Sequence, residues 1–479
     1  MPGLPVEEKR RCWPFAVVIG VLIVARVIGQ IVLPVYDDAF ITFRYARNLA
    51  EGHGLVYHVN EWVLGATCPA FAIVLALPEM LKLSLPSTVV AMNIVCDALV
   101  LGVTMLVLAK AGRRLAAVLF GLFFALSPIA TRICVGAMEM DLFLLCSVLS
   151  ILLYHRGART VAIILAALSY YIRPEAVLLV AVLCVTEFLS SGRAKSIWMA
   201  AVALIVVTPP ALAIYAYYGH VLPQSVLTKS RDVGSALHMV IRNLLLNDVP
   251  CYVLLPFAVW GLLVAVRQGG FLRTCALWGV AYLGAYVVAR PLTWSWYGGP
   301  VHYVQFIAAA LGGVDLLGRL PRLGRQVSVA RAAVAGGVVV VGSWLGVLAV
   351  MGPSPAMNRI YPPLREWCQR NGVADSSILA GDIGAIGYYS NARIYDIAGL
   401  VWPEALRYKS LADLARVYEP DYIFLVATQD DVAKMNEPPL RGLYKPVERF
   451  PDVADPATKF VVYNTTWKQE YVLFQKDAR

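Results

Sequence analysis

Two adjacent aspartates, Asp37 and Asp38, lie just beyond an apolar run, residues 13–33, that is long enough to cross a membrane. They begin the stretch YDDAFITFRYARNLAEGHGLVY, residues 36–57. One aspartate at a helix start caps free backbone N–H groups and complements the helix dipole. A second carboxylate beside it repels the first and therefore needs a reason of its own. Because neighbouring carboxylates close to lipid have a raised proton affinity, the pair is suited to accept a proton from a hydroxyl group.

The segment after the aspartate pair predicts an amphipathic helix. Its polar face carries Arg44, Arg47, Asn48 and Glu51, and its other face is apolar. Such a helix is expected to lie in the plane of the membrane interface, with the apolar face in the acyl chains. Arg44 on the polar face is a candidate substrate contact.

The composition places these residues in a membrane protein. Of the 479 residues, 59% are hydrophobic and only 15% are charged, and apolar runs of spanning length recur up to Met351. After about residue 352 charges return and the apolar runs shorten to strand length. We therefore predict a polytopic helical membrane domain, residues 1–352, and a water-soluble domain, residues 353–479. The net charge of +10 does not indicate nucleic acid, because most Lys and Arg residues lie in short loops between apolar runs.

Six basic clusters orient the membrane domain. They are EEKRR at 7–11, KAGRR at 110–114, HRGAR at 155–159, GRAK at 192–195, RQGGFLR at 267–273 and GRLPRLGR at 318–325. The positive-inside rule places all of them in the cytoplasm, so an even number of spans must separate neighbouring clusters. Eleven spans satisfy this condition: 13–33, 86–109, 115–130, 140–154, 160–172, 174–190, 196–216, 249–266, 274–290, 300–317 and 329–351. The apolar stretch 67–83 would break the parity if it crossed, so we predict that it is a helix at the outer surface.

This topology brings a defined set of polar residues to the outer face, together with the C-terminal domain. Besides the aspartate pair, the set contains Glu139 and Asp141, Arg173 and Glu175, Lys229 and Arg231, and the aromatic run WSWYGG at 294–299. No small-residue cleavage site follows the first apolar run, which is expected to remain as an anchor. The sequence has no CxxC pair, and five of its nine cysteines lie inside apolar runs, so cysteine ligands for a metal are not indicated.

Residues 36–57 resemble the first outer loop of GT-C glycosyltransferases, membrane enzymes that take sugars from polyprenyl phosphates. They are most similar to bacterial members typified by the terminal arabinofuranosyltransferases of mycobacterial cell walls, whose loop commonly has the pattern DDAxIxxRYAxNLxxGxGLVxN. Further stretches match this family in the same order: GAMEMDLFLL at 136–145, YYIRPEAVLL at 170–179, YGHVLPQSVLTK at 218–229 and GDIGAIGYYSNARIYDIAGL at 381–400. The chain departs from the family pattern at Leu64, where an acid is usual, and at Met140, which replaces a threonine.

The resemblance implies an inverting glycosyltransferase of the cell inner membrane. It would move a sugar from a polyprenyl-phosphate donor to a hydroxyl of a glycan, glycolipid or protein acceptor at the outer face, in cell-envelope assembly. The resemblance places the catalytic base on Asp37, with Asp38 orienting the acceptor or sharing the proton, although the pair can titrate as one unit. Lys229 of the matched motif is the first candidate for binding the donor phosphate, followed by Arg231 and Arg173.

Two of these assignments have structural alternatives. Trp294, Trp296 and Tyr297 can stack on sugar rings, but an interfacial aromatic belt explains them equally well. Arg173 can contact the phosphate, or it can form an ion pair with Glu175 or another carboxylate of the bundle.

Glu139 and Asp141 form a second acidic cluster or part of an acceptor site. Together with Asp37 and Asp38 they could instead bind a divalent cation. Related lipid-phosphate transferases often work without a metal, so we assign neither a metal nor a resident cofactor, and the lipid-linked sugar is a co-substrate.

Two other functions compete with glycosyl transfer. A secondary transporter would predict an internal repeat with broken helices near the middle of the membrane, and the sequence has no such repeat. A non-catalytic envelope or motility-related protein that retains the fold is the remaining alternative.

The C-terminal part predicts a small α/β domain, because helices and strands alternate from residue 361. The predicted strands are SSILAG, RIYDIAG, DYIFLV, KFVVYN and YVLFQKD, and the predicted helices are PPLREWCQRNG, IGAIGYYS and PEALRYKSLADLARVYEP. The glycines of GDIGAIG do not have P-loop spacing, so nucleotide binding is not expected. We expect the domain to help bind the acceptor or to guard the cavity.

Overall fold

The structure is a computed structural model that describes residues 6–229, 236–319, 344, 361–426, 433–438, 440–450 and 471–477. The side chains of residues 6–13, 32, 227 and 229 are outside this description.

Helices dominate the membrane domain, as predicted. In the part described up to residue 319 they are α1 (Val6–Val32), α2 (Asp37–Ala50), α3 (Pro69–Met80), α4 (Leu85–Lys110), α5 (Arg114–Leu126), α6 (Pro128–Val135), α7 (Met140–His155), α8 (Arg159–Leu168), α9 (Ala176–Ser191), α10 (Arg193–Tyr218), α11 (Gln224–Lys229), α12 (Leu237–Leu244), α13 (Val249–Gln268), α14 (Gly270–Ala289) and α15 (Gly299–Gly318). Short 3-10 helices, Ser169–Tyr171 and Ser295–Gly298, precede α9 and α15.

Several of these helices can cross a membrane. Among the described residues, six are long and apolar enough, and the bent pair of α5 and α6 makes a seventh if it forms one broken span. Three further predicted spans correspond to the shorter apolar helices α7, α8 and α9. The polytopic helical class is thus confirmed. The predicted span 329–351 and the domain boundary near residue 352 lie outside the described residues, so the count of eleven spans stays a prediction.

A proline explains the bend between α5 and α6. The two helices meet at an angle of 56° at Ser127. The residue before a proline is disfavoured in the helical region, and Ser127 has an extended backbone with ψ of 121°. Its hydroxyl accepts a hydrogen bond from the N–H of Ala130 and so begins α6 with a cap.

Helix α3 corresponds to the stretch predicted to lie at the outer surface. Its 12 residues extend about 18 Å, less than the roughly 30 Å hydrocarbon core of a bilayer. It packs against α2, and Arg47 of α2 lies 3.2 Å from Glu79 at its end. The length suits a surface position, which stays a prediction.

The C-terminal domain has the predicted α/β architecture. Its described helices are α16 (Tyr361–Asn371), α17 (Gly384–Ser390) and α18 (Leu411–Tyr418), with 3-10 turns at Val373–Asp375 and Pro403–Arg407. Its described strands are β1 (Ser377–Ala380), β2 (Arg393–Asp396), β3 (Tyr422–Val426), β4 (Tyr444–Phe450) and β5 (Tyr471–Lys476). They form one sheet in the order β2-β1-β3-β5-β4, in which β1 pairs in parallel with β2 and β3, and β5 pairs antiparallel to β3 and β4.

Two details of this domain differ from the sequence prediction. Strand β4 was not predicted, because its sequence YKPVERF contains a proline and charged residues. It is an edge strand whose register shifts between Pro446 and Glu448, and edges are where sheets tolerate proline. The helix predicted over 403–420 is divided into a 3-10 turn and α18, which begins where Ser410 accepts a hydrogen bond from Asp413 N–H. The predicted strand KFVVYN lies outside the described residues.

Candidate active site

Helix α2 carries the aspartate pair in its first turn and is enclosed by protein. Nine of its 14 residues are buried, and it packs against α3 and against α17 of the C-terminal domain. The expectation that its apolar face lies in the acyl chains is wrong, since Phe43 and Tyr45 are completely covered within the protein.

Asp37 is directed at the C-terminal domain. Its two carboxylate oxygens accept hydrogen bonds of 2.8 Å from the backbone N–H groups of Gly384 and Ala385. Removal of the carboxylate from water, together with the charges of Asp382 and Asp38, raises the pKa of Asp37 to about 8, while the two N–H donors act in the opposite direction. The side chain is therefore already engaged with a neighbouring helix.

Asp38, in contrast, lines a polar cleft of about 50 Å³. Glu139, Arg173, Trp296 and Tyr297, all predicted from sequence, line the same cleft. The fold thus brings together residues from α2, from the turn before α7, from the turn before α9 and from the aromatic run before α15. This cleft is the candidate active site.

An apolar cavity of about 400 Å³ adjoins the polar cleft. Thr67, Arg173, Ser225 and Tyr297 line both spaces and form the wall between them. The apolar residues around the larger cavity come from α9, α11 and α14 and include Val177, Leu178, Val226, Ala285 and Ala289.

Arg173 is held between two carboxylates. Its Nη1 lies 2.5 Å from Glu139 and its Nη2 lies 2.8 Å from Glu175, and its guanidinium lies 4.9 Å from the Tyr297 ring centre. Tyr286 donates a further hydrogen bond to Glu175. The ion pair considered in the sequence analysis is therefore formed, and the arginine stands at the boundary between the two cavities.

Asp141 is separated from Glu139. Glu139 precedes α7 and lines the cleft, whereas Asp141 is buried inside the helix bundle beside Asp97. Asp97 in turn accepts a hydrogen bond of 2.8 Å from Arg26. The suggestion that Asp141 acts with Glu139 in one acidic cluster is wrong, because these side chains belong to different environments.

The four acidic residues considered for a divalent cation do not converge either, because Asp37 and Asp141 are directed away from the cleft. Among the described residues, one group of potential metal ligands, Asp97, Cys134 and Asp141, places its ligand atoms within 4.8 Å of one another. This group does not fit a resident cation, because the Arg26 guanidinium already supplies the positive charge beside Asp97.

The aromatic run at 294–299 contributes two of its three predicted side chains to the lining of the cleft. Trp296 and Tyr297 line the cleft, and Trp294 stacks on Trp296 with ring centres 5.7 Å apart and planes at 10°. The three rings are therefore stacked in sequence, and a role in packing against a sugar stays a prediction.

Arg44 does not line either cavity. It donates hydrogen bonds to the carbonyl oxygens of Gly387 and Ala392 in the C-terminal domain and lies over the ring of Tyr57. Its predicted role in substrate binding has no support in this geometry.

Two of the predicted phosphate ligands, Lys229 of the matched motif and Arg231 beyond it, are only partly described. Lys229 is the last residue of α11, but its side chain is outside the described residues, as is Arg231 entirely. The same helix supplies Ser225 to the wall between the cavities. A phosphate contact by Lys229 stays a prediction.

Sequence reasoning missed several residues of the cleft. Ser225, Thr67 and Cys68 line it, and Leu400 reaches it from the C-terminal domain. Both Ser225 and Leu400 lie inside stretches that match the family, which was the available signal.

Comparisons with known proteins agree with this architecture. A family model described as "Domain of unknown function (DUF8728)" matches residues 356–474. The crystal structure of ArnT from Cupriavidus metallidurans bound to undecaprenyl phosphate is similar with a TM-score of 0.60 at 12% identity, over 96% of this chain and 97% of that one. The apo structure of the same protein gives a TM-score of 0.58 at 12% identity, with the same coverage. No curated protein matches at a significant level.

These likenesses show the fold of this chain, which is the GT-C fold seen in the ArnT structures. They do not support the narrower resemblance to mycobacterial arabinofuranosyltransferases, since both structures named here are of ArnT.

Proposed function

We propose that this GT-C-fold protein is a membrane glycosyltransferase that moves a sugar from a polyprenyl-phosphate donor to an acceptor hydroxyl. The main support for the proposal is that the polar cleft and the apolar cavity adjoin and share part of their lining. A polyprenyl-phosphate sugar has the matching shape, with a polar sugar, an anionic phosphate and an apolar chain in that order. The ArnT structure, which has the same fold, contains undecaprenyl phosphate.

The wall between the two cavities is the proposed phosphate site. Two buried groups of this wall, the Nε–H of Arg173 and the hydroxyl of Ser225, have no hydrogen-bond partner among the described residues. A buried hydroxyl without a partner is costly, and a phosphate oxygen would accept its hydrogen bond. As the leaving phosphate gains charge, fixed donors at this wall stabilise the transition state.

Asp38 is the proposed base. The acceptor hydroxyl gives its proton to the Asp38 carboxylate while its oxygen attacks the anomeric carbon. The bond between that carbon and the phosphate oxygen breaks, and the phosphate leaves with the bonding electron pair. One displacement of this kind inverts the anomeric configuration. We prefer Asp38 to Asp37 in this role because Asp38 lines the cleft, whereas the Asp37 carboxylate is directed away from it, at Gly384 and Ala385.

Glu139 is the second acidic residue of the cleft, and Trp296 and Tyr297 form its aromatic side. We assign Glu139 to orienting Arg173 and the acceptor, and the aromatic rings to packing against a sugar face. The site is proposed to open at the outer face of the cell inner membrane, as the distribution of basic loops predicts.

Filling the apolar cavity should prevent binding of the lipid. Ala285 lines this cavity, so Ala285→Trp places an indole where the prenyl chain is proposed to lie. Val288 lies on the same helix and is 83% exposed, so Val288→Trp is a matched control that leaves the cavity open. We expect undecaprenyl phosphate to raise the melting temperature of the purified wild type and of Val288→Trp, but not that of Ala285→Trp.

The measurement is a thermal unfolding curve of the full chain in detergent with and without undecaprenyl phosphate. An equal lipid-dependent shift in Ala285→Trp, or none in the wild type, would remove the cavity as the lipid site. A non-catalytic protein that retained the fold would bind the lipid and release no sugar from it.

A further inference from the structure

Helix α17 of the C-terminal domain is held at both ends by side chains of α2. At its start, the amides of Gly384 and Ala385 donate to the carboxylate of Asp37. Near its end, Arg47 donates to the carbonyl oxygen of Tyr388 at 2.7 Å. Arg44, which is 4% exposed, donates to two further carbonyl oxygens of the same segment at 2.9 Å and 2.8 Å. Acceptor oxygens of Asp37 thus meet N–H groups at one end of α17, and arginine donors meet carbonyl groups at the other.

Two glycines of α17 lie in close contact with the membrane domain, Gly384 against the backbone of α2 and Gly387 against the side chain of Tyr57. A β-carbon on Gly384 would lie 1.8 Å from the backbone oxygen of Asp37, and one on Gly387 would lie 1.9 Å from the hydroxyl of Tyr57. Their spacing of three residues places both on one face of α17. The hydroxyl of Tyr57 also donates to the carbonyl oxygen of Ile383 at 2.6 Å. This contact is a fitted interface between a loop of the membrane domain and the soluble domain.

A second segment of the soluble domain reaches the cleft itself. After β2, the Asp396 carboxylate accepts hydrogen bonds from the N–H groups of Ala398, Leu400 and Val401. These bonds fix the turn that places Leu400 in the wall of the polar cleft. The backbone oxygen of Leu400 would lie 2.8 Å from a β-carbon on Gly65, so this turn is also tightly packed.

Successive residues of an α-helix point about 100° apart, so the direction of one side chain fixes that of the next. We infer that the C-terminal domain is a working part of the active site, in which α17 holds Asp37 so that Asp38 faces the cleft. Asp37 is then a positioning residue, and the turn with Leu400 closes the cleft wall. The inference rests on the proposed function for its catalytic part, whereas its structural part is independent of any substrate.

The test is Gly384→Ala in the full chain in nanodiscs, with Gly381→Ala as the matched control. Gly381 lies in the same GDIGAIG segment, is exposed, and would carry a β-carbon with no atom within 4 Å. Amide hydrogen exchange of residues 37–57 needs no substrate and reports how firmly α2 is held. We expect Gly384→Ala to speed exchange in this segment by about tenfold or more, and Gly381→Ala to leave it within about twofold of the wild type.

The second readout is the initial rate of sugar transfer, which should fall by about tenfold or more in Gly384→Ala only. Unchanged exchange in Gly384→Ala would overturn the inference, and so would faster exchange with an undiminished rate. If the wild type transfers no sugar, the proposed function fails, and the exchange result alone decides whether the domain holds α2.

Two substitutions of Asp37 distinguish a positioning role from a catalytic role. Asp37→Asn retains an oxygen that can accept one of the two amide hydrogen bonds, whereas Asp37→Ala retains none. We expect α2 to exchange faster in Asp37→Ala than in Asp37→Asn, with the transfer rate falling in the same order. Loss of transfer in Asp37→Asn by about a hundredfold with exchange unchanged would make Asp37 a catalytic group and overturn its positioning role.

Discussion

Asp38→Asn is expected to lower the rate of sugar transfer by about a hundredfold or more, the usual effect of losing a general base. Asparagine has nearly the same size and can still hydrogen-bond, but it cannot take the proton of the acceptor hydroxyl. The protein should insert and fold as before, because Asn is also favoured at helix starts. The measurement is the initial rate of undecaprenyl phosphate release by purified variants in nanodiscs.

Asp37→Asn is the control for this prediction, since the two carboxylates are adjacent and differ in what they face. We expect its rate to remain within about tenfold of the wild type. A larger loss in Asp37→Asn than in Asp38→Asn would exchange the two roles. Near-normal rates in both variants would leave the pair with a structural role alone.

Arg173→Gln is expected to have the largest effect on stability. The substitution leaves Glu139, which is buried, and Glu175, which is 14% exposed, without their shared cation. Removing one partner of a buried ion pair typically costs about 3–5 kcal/mol, because the remaining charge is no longer compensated. The melting temperature of the purified protein should therefore fall, and undecaprenyl phosphate should no longer raise it.

The double variant Arg173→Gln/Glu175→Gln separates structure from phosphate binding. It removes one of the two uncompensated charges, so much of the lost thermal stability should return. The stabilisation by undecaprenyl phosphate should stay absent if Arg173 contacts the phosphate. If the double variant regains both its thermal stability and its stabilisation by undecaprenyl phosphate, Arg173 forms ion pairs but does not bind the phosphate.

The sequence alone was sufficient to predict the helical membrane class and many of the residues that line the cleft. The spans are long apolar runs, and the basic loops between them fix their orientation. The positions and the orientation of the spans therefore follow from local composition. The predicted topology places residues of the cleft, such as Glu139 and Trp296, together at the outer face. Their convergence then follows from the fold.

The directions of the side chains could not be read from the sequence. Asp37 and Asp38 are equivalent as a pattern, and a contact with residues 384–385 distinguishes them. Glu139 and Asp141 are two positions apart, yet one lies in the cleft and the other in the bundle.

The surroundings of α2 were misjudged for the same reason. A polar face with Arg44 is typical of an interfacial helix, and nothing local indicates that a domain more than 300 residues later covers it. Long-range packing determines whether a helix face contacts lipid or protein, whereas sequence periodicity shows only which residues share that face.

The central claim is most directly tested by the lipid-linked sugars of a strain of the source organism that lacks this protein. If the protein consumes a polyprenyl-phosphate sugar, one such lipid should accumulate in the deletion strain, and mass spectrometry would identify its sugar. The wild-type gene should return that lipid to its normal level, and the Asp38→Asn gene should not. An unchanged set of polyprenyl-phosphate sugars in the deletion strain, or full restoration by Asp38→Asn, would contradict the account.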